Sequence, residues 1–257
     1  MPRVRLDSLL AERGLFESRS RAAAAVLAGG VRVDDRPVVK AGQLVDPEVE
    51  ITVTAPPPYV SRGGVKLANA LDALGVGVSG RRCLDVGAST GGFTDCLLQR
   101  GASHVVALDV AYGELDYRLR SDPRVTVMER VNARSVASLP YPPELIVCDV
   151  SFISLRKVLP AVLALAADEF DCLAMVKPQF EVGREQVGKG GVVRDPALRR
   201  AAVVDVAASL SDFAVMGFAA SGLPGPAGNL ETFVWVAEAG RPGAVADVAA
   251  AVEEAGA

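Results

Sequence analysis

Apolar and polar positions change period along this chain, and the changes mark out its elements. Leu6, Leu9 and Leu10 recur at helical spacing and stop at Gly14. Ser18 opens a second helix, SRSRAAAAVLAGG, which Gly29 and Gly30 end. Short strand-like runs follow at Val31 to Val33, Pro37 to Val39 and Glu50 to Thr54. The stretch APPP at 55–58 breaks both periods, because consecutive prolines favour an extended spacer. Tyr59 to Gly64 then lead into a helix, Val65 to Leu74, with Leu67, Leu71 and Leu74 on one face.

From Arg81 short apolar runs alternate with amphipathic ones. The pattern predicts a strand up to Asp85, a helix at 93–100, strands at 103–109, 125–129 and 144–149, and a helix at 152–167. A strand at 170–176, a helix at 196–211 and strands at 213–220 and 232–237 complete it. The last two strands lack an intervening helix, so they are expected to pair as an antiparallel hairpin at one edge. An Ala/Val-rich run after Pro242 reads as a closing helix. The expectation is a small α+β module over 1–54, a linker over 55–64, and an α/β domain over 65–257 with a mostly parallel, Rossmann-like sheet.

The glycine-rich stretch CLDVGASTGGFTD at 83–95 sits where the first strand of that domain turns into its first helix. Glycine there lets the backbone close on a ligand. Asp109 ends the next strand, placed to accept hydrogen bonds from a ribose. The spacing G-x-x-x-G-G differs from the dinucleotide fingerprint G-x-G-x-x-G. Asp85, ahead of the first glycine, suits S-adenosylmethionine, whose amino group is cationic.

Charge is uneven along the 257 residues. Residues 1–40 hold eight Lys/Arg against five Asp/Glu, leaving 19 against 26 elsewhere. A basic start on an acidic protein suggests an end that meets a polyanion. Arg3, Arg5, Arg13, Arg19, Arg21 and Arg32, with Arg36 and Lys40, either grip RNA phosphates or form a solvated face. Cys83, Cys96, Cys148 and Cys172 are far apart, with no C-x-x-C, and read as buried thiols of a cytosolic protein. The single histidine, His104, starts a core strand, so histidine-based metal or triad chemistry is not expected, and no metal ligand is assigned. The charged start, without an apolar run behind it, does not read as a signal peptide. The longest charge-free segment, Phe213 to Leu230, is broken by glycines and prolines and does not read as a membrane span.

Ligands of open α/β sheets sit beyond the carboxyl ends of the parallel strands. Asp85, Asp149 and Lys177 lie at such ends, and Glu231 precedes the final strand. If that strand runs antiparallel, Glu231 joins Asp149 and Lys177, and Lys66 can reach them from the preceding helix. Two amines and two carboxylates suit methyl transfer to a ribose hydroxyl, a poor nucleophile until its proton is taken. In this reading Lys177 deprotonates the hydroxyl, Asp149 and Glu231 position it, and Lys66 either holds the RNA or tunes Lys177. Gly183 to Gly190 nearly spells a P-loop, but Gly190 stands where the magnesium-binding hydroxyl belongs. A loop over the site, with Arg184, Lys189 and Arg194 facing RNA, is expected instead.

Two resemblances carry these expectations further. The pattern RLD-x₂-L-x₂-RGL, SR-x₃-A and AGGVRVDDRPV resembles the S4 RNA-binding domain, with Asp34-Asp35 where that family usually has Asn-Gly. RGGVKL, LDVGASTGGFTD, CDVSFISL, VKPQFEVG and GNLETF resemble the FtsJ-like methyltransferase domain. Together the two halves resemble the TlyA proteins, ribosomal RNA 2′-O-methyltransferases acting on cytidines and often called haemolysins. The resemblance implies a Lys-Asp-Lys-Glu tetrad at Lys66, Asp149, Lys177 and Glu231. It implies that S-adenosylmethionine is bound by Asp85, Gly87, Ser89, Thr90, Gly91, Phe93 and Asp109, with Asn132 near the adenine. Tyr59 is the candidate linker aromatic, and Arg62 is counted with it among RNA contacts. The expected partner is ribosomal RNA or a ribosomal subunit in the cytoplasm, with no membrane. The competing readings are a membrane-active haemolysin and a non-catalytic RNA-binding assembly factor.

Overall fold

The computed structural model describes residues 3–27, 29–38, 40–53 and 58–256. The chain divides into two units, Met1–Pro58 and Tyr59–Ala257. Residues 54–57 and Val39, which belong to the expected spacer and strands, lie outside the described residues.

The first unit contains β1 (Val4–Arg5), α1 (Leu6–Glu12), α2 (Arg19–Leu27), β2 (Val31–Val33), β3 (Arg36–Pro37), β4 (Leu44–Val45) and β5 (Ile51–Val53). β1 pairs with β4, and β2 lies between β3 and β5, all antiparallel. Leu6, Leu9, Leu10, Ala22, Val26, Val31 and Val45 close its core. Asp34 and Asp35 both take positive φ (49° and 59°) in the β2–β3 turn. Two left-handed positions make the turn whose twist suits a two-residue hairpin, a conformation Asp tolerates better than most residues.

The second unit begins α3 at Arg62, three residues earlier than its apolar face suggests, and runs it to Leu74. Then come β6 (Arg82–Val86), α4 (Gly92–Gln99), β7 (His104–Leu108), α5 (Tyr117–Arg120), β8 (Val125–Met128) and β9 (Leu145–Cys148). The expected long helix at 152–167 is instead a 3-10 turn at Leu155–Lys157 followed by α6 at Leu159–Leu163. Pro160 explains the break: it lacks an N–H and fits only a helix's first turn. β10 (Asp171–Val176), α7 (Pro178–Glu181), α8 (Pro196–Ala208), β11 (Ala214–Ala220), β12 (Thr232–Ala237) and α9 (Val248–Glu254) complete the domain. The short α5 and α7 were not legible, since four residues carry no helical period.

The sheet order is β11-β12-β10-β9-β6-β7-β8. The strands from β10 to β8 are parallel, while β12 is antiparallel to both its neighbours. Helices cover both faces, so alternate residues of one strand enter different cores. Cys83, Leu145, Val147, Leu173 and Met175 meet Leu67, Phe93 and Leu97 on one side. Leu84, Val86, Ile146, Cys148 and Cys172 meet Leu159, Val203 and Val206 on the other. This double burial is why the strands read as uninterrupted apolar runs. All four cysteines are buried and free. At the amino-terminal edge Asp171 accepts from Arg81 (2.7 Å), Arg241 (2.5 Å) and Trp235 Nε1 (2.8 Å). His104 Nε2 pairs with Thr126 Oγ1 at 2.8 Å, a structural role.

Candidate active site

Strand order reverses between β6 and β9, where the connecting loops diverge and leave a crevice. Register brings the ends together: Val86 lies opposite Leu108 and Cys148, and Val176 opposite Thr232. Gly87, Asp109, Asp149, Lys177 and Glu231 therefore leave the sheet at one edge. Gly87 has φ +84°, and a Cβ there would run into the carbonyl oxygen of Asp149. The two loops can approach this closely only without a side chain.

Two adjoining cavities open at this edge, of about 570 and 480 Å³, within the usual range for small-molecule sites. Gly87, Ser89, Asp149 and Ser151 line both. The larger is also lined by Lys66, Lys177, Glu231, Thr90, Phe93 and Arg62. The smaller carries Asp109, Asn132, Val131, Phe152 and Ile153. The structure thus brings Lys66, Asp149, Lys177 and Glu231 onto one cavity, as two ion pairs. Lys66 Nζ meets Glu231 Oε2, with both residues buried. Lys177 Nζ lies 2.5 Å from Asp149 Oδ1 and donates to Ser151 Oγ at 3.0 Å. A buried ion pair such as Lys66–Glu231 seldom repays its desolvation, so its place on one cavity with the half-buried Lys177–Asp149 pair points to chemistry more than to stability.

Asp109 fastens the glycine turn: its Oδ2 accepts the Ser89 N–H and its Oδ1 the Ala111 N–H, both at 2.8 Å. Ser89 is held at φ +47°, a strained position for a residue with a side chain, and its Oγ donates to Glu114 at 3.1 Å. Asp85 and Gly91 do not line either cavity. Gly91 (φ +95°) makes room for Leu115 and Leu119. Asp85 is 1% exposed beneath the turn, where Oδ2 accepts from Thr94 Oγ1 at 2.6 Å. Its Oδ1 has no hydrogen-bond partner among the described residues. Burial pushes the Asp85 carboxyl up to about 7. The unfolded chain releases this proton near 3.8 and the folded chain only near 7, so this group's contribution to stability fades as pH rises through that window. Asp85→Asn should remove that slope in urea unfolding measured between pH 4 and 7. A slope unchanged by the substitution would show that Asp85 ionises normally.

Tyr59 is half-buried, its ring seated where Gly64 has no side chain. Burial, with Cys96 next, holds its hydroxyl above the ordinary range. Arg62 stays exposed and donates to the Pro224 carbonyl at 3.1 Å. In the first unit the expected RNA contacts are partly engaged internally. Arg5 and Arg19 both pair with buried Asp7, whose carboxyl the Arg5 guanidinium holds far below the usual range. Arg13 donates to the Val49 and Pro47 carbonyls, and Arg32 to that of Asp35. Arg21 pairs with Glu17 at 3.4 Å on the surface, and Arg3 is exposed with no ion pair among the described residues.

The near-P-loop at 183–190 joins no strand to a helix. Gly188 bridges Val192 in a small hairpin turned by Gly190 and Gly191. Buried Asn229 pins it, accepting the Val193 N–H (2.9 Å) and donating to the Gly191 carbonyl (2.8 Å). Sequence reasoning missed Asn229, although it stands two residues before Glu231. It also missed Phe152, 91% exposed at φ +65° and tilted against Phe180, and Ser151 beside Lys177. Proximity to Asp149 in CDVSFISL was the available signal for both.

The FtsJ-like methyltransferase family matches residues 59–238, and the S4 domain matches residues 4–51. The 16S/23S rRNA (cytidine-2′-O)-methyltransferase TlyA of Mycobacterium tuberculosis is 50% identical, over 91% of this chain and 90% of that protein. The chain belongs to the TlyA family of FtsJ-like methyltransferases. Hemolysin A of Brachyspira hyodysenteriae is 39% identical over 89% of this chain and 97% of that protein. A solved structure of a hemolysin-named protein from Streptococcus thermophilus superposes with a TM-score of 0.75 at 37% identity, covering 100% of this chain and 96% of the other. The chain is an enzyme that uses S-adenosylmethionine, and its crevice fits that group. Gly87 and Gly92 of the glycine turn line the larger cavity with no side chain to occupy it, and Asp109 lines the smaller. No helix of the described residues is long and apolar enough to cross a membrane.

Proposed function

We propose that this enzyme methylates the ribose 2′-hydroxyl of cytidines in ribosomal RNA, in the cytoplasm, on one or both ribosomal subunits. The observation that carries this reading is the gathering of Lys66, Asp149, Lys177 and Glu231 on one cavity beside the glycine turn. When bound, S-adenosylmethionine supplies a methyl group on a positively charged sulfur. The chain's own residues do the rest. Lys177 Nζ takes the proton that the sugar hydroxyl releases, and Asp149 holds that amine in place. Glu231 holds Lys66, whose charge offsets the negative charge that the RNA brings into the cavity. Asp109 and Asn132 line the half of the crevice suited to an adenosine.

A nucleotide drawn out of its stack brings its sugar into such a crevice more readily than one held in a duplex. Exposed Phe152 offers a ring for an unpaired base, and Arg134, Arg156, Lys157 and Arg184 line the open groove beside it. Arg62, Tyr59 and the arginines of the S4 domain extend the RNA contacts, with phosphate contacts positioning the substrate. Ribose-methylation profiling of ribosomal RNA, from cells with and without the gene, tests the assignment. Loss of 2′-O-methylation at one or more cytidines is expected, restored by the intact chain but not by a Lys177→Ala chain. An unchanged ribose-methylation profile would overturn it.

A further inference from the structure

We infer that Ser151 is a positioning residue that fixes the orientation of the Lys177 amine during proton abstraction. The inference rests on Lys177 being the proton acceptor. A neutral amine has two N–H bonds and one lone pair, arranged tetrahedrally. Ser151 Oγ at 3.0 Å accepts one of those N–H bonds, while Asp149 Oδ1, 2.5 Å from Nζ, acts as a counter-ion and makes no hydrogen bond among the described residues. The lone pair takes a remaining direction, and all three residues line the larger cavity. Asp149 holds the amine by charge and the single hydrogen bond to Ser151 sets its rotation about Cε–Nζ, which leaves the lone pair free for the substrate. As the ribose O–H bond breaks, its proton forms a new N–H bond on Nζ, its electron pair stays on the ribose oxygen for the attack, and the ammonium on Nζ is stabilised by the Asp149 carboxylate and the Ser151 oxygen. With Ser151 removed, Asp149 alone constrains the amine, and productive orientations become a fraction of those sampled.

The contact does not belong to a loosely held loop. Glu181 on α7, four residues past Lys177, accepts Ser154 Oγ at 2.6 Å and the Leu155 N–H at 2.7 Å. The segment carrying Ser151 is thereby stapled to the helix that starts just after Lys177. Ser151 also lines both cavities, at the junction between the adenosine half and the reacting half.

The test is steady-state methylation of ribosomal subunits by the full chain, with cofactor affinity measured separately by calorimetry. Ser151→Ala should lower kcat about tenfold, leaving the KM for RNA and the cofactor affinity within about twofold. Ser151→Thr, which keeps a hydroxyl, should recover most of the rate. Adding Ser151→Ala to Lys177→Ala should cost nothing further, because Ser151 acts through Lys177. A wild-type kcat in Ser151→Ala would overturn the inference, as would a parallel loss of cofactor affinity or failure of a folded Ser151→Thr to restore the rate. If Lys177→Ala itself keeps the normal rate, the assignment of the base fails instead, which separates the two failures.

Discussion

Lys177→Ala is expected to lower methyl transfer by about 10³-fold while leaving cofactor affinity essentially unchanged. General-base catalysis contributes about 10²–10⁴-fold. No substitute base among the described residues narrows that loss here, because His104, the chain's single histidine, is committed to Thr126 in the sheet. Among the described residues lining the larger cavity, Lys66 is the other amine, and it is already paired with Glu231. Lys177 follows β10 directly, in extended backbone (φ −108°, ψ 102°), the conformation that Pro178 favours in the residue before it. Truncating its side chain therefore leaves the backbone and the adenosine half of the crevice in place. Single-turnover methylation beside calorimetric titration of S-adenosylmethionine checks both parts. A rate within tenfold of wild type would remove Lys177 from the chemistry. Cofactor affinity lost in step with the rate would make it a binding residue.

Gly87→Ala should damage cofactor binding and the reaction together. The left-handed conformation at Gly87 costs a residue with a Cβ about 1–2 kcal/mol. The added methyl also meets the Asp149 carbonyl, which is backbone and cannot rotate aside. Either the glycine turn or the β9 end has to move, and Asp149 and Ser151 move with the latter. Misplacement by about 1 Å costs on the order of a hundredfold in rate. The expected outcome is a weaker calorimetric Kd, kcat/KM down at least about a hundredfold, and a lower melting temperature. Gly113→Ala is the control, since that glycine is also left-handed but has nothing within 4 Å of its Cβ. Equal effects from the two substitutions would show that backbone strain, and not the approach of the two loops, is what Gly87 relieves.

The TlyA family contains members whose names say methyltransferase and members whose names say hemolysin, and the physical features of this chain fall with the first. Its crevice is built from paired amines and carboxylates around a glycine turn. The groove beside it, lined by Arg134, Arg156, Lys157 and Arg184 with exposed Phe152, is the surface we propose for RNA.

Much of this architecture was legible because the sheet is buried on both faces. Double burial makes β6, β7, β9 and β10 continuous apolar runs, and a charged residue at the end of such a run marks the ligand edge. Asp149 and Lys177 were found that way, and Glu231 followed once the last strand was read as antiparallel. The periodicity failed where a helix was short or interrupted: at α5, at α7, and at Pro160 within the expected 152–167 helix.

The sequence by itself determined most of the order of elements, the glycine turn and the strand-end positions of Asp149 and Lys177, because local period needs no knowledge of distant neighbours, whereas Lys66 and Glu231 entered through an assumed strand direction and the family resemblance. Only the tertiary structure decided how the tetrad pairs, Lys66 with Glu231 and Lys177 with Asp149. It alone placed Asp85 beneath the turn, where burial pushes its carboxyl above the usual range. It alone gave Asp7 to Arg5 and Arg19, drawing two expected RNA contacts partly inward. The reason is common to all three: a charge's partner and its access to water depend on which segments meet in space, and the chain's linear pattern does not encode that meeting.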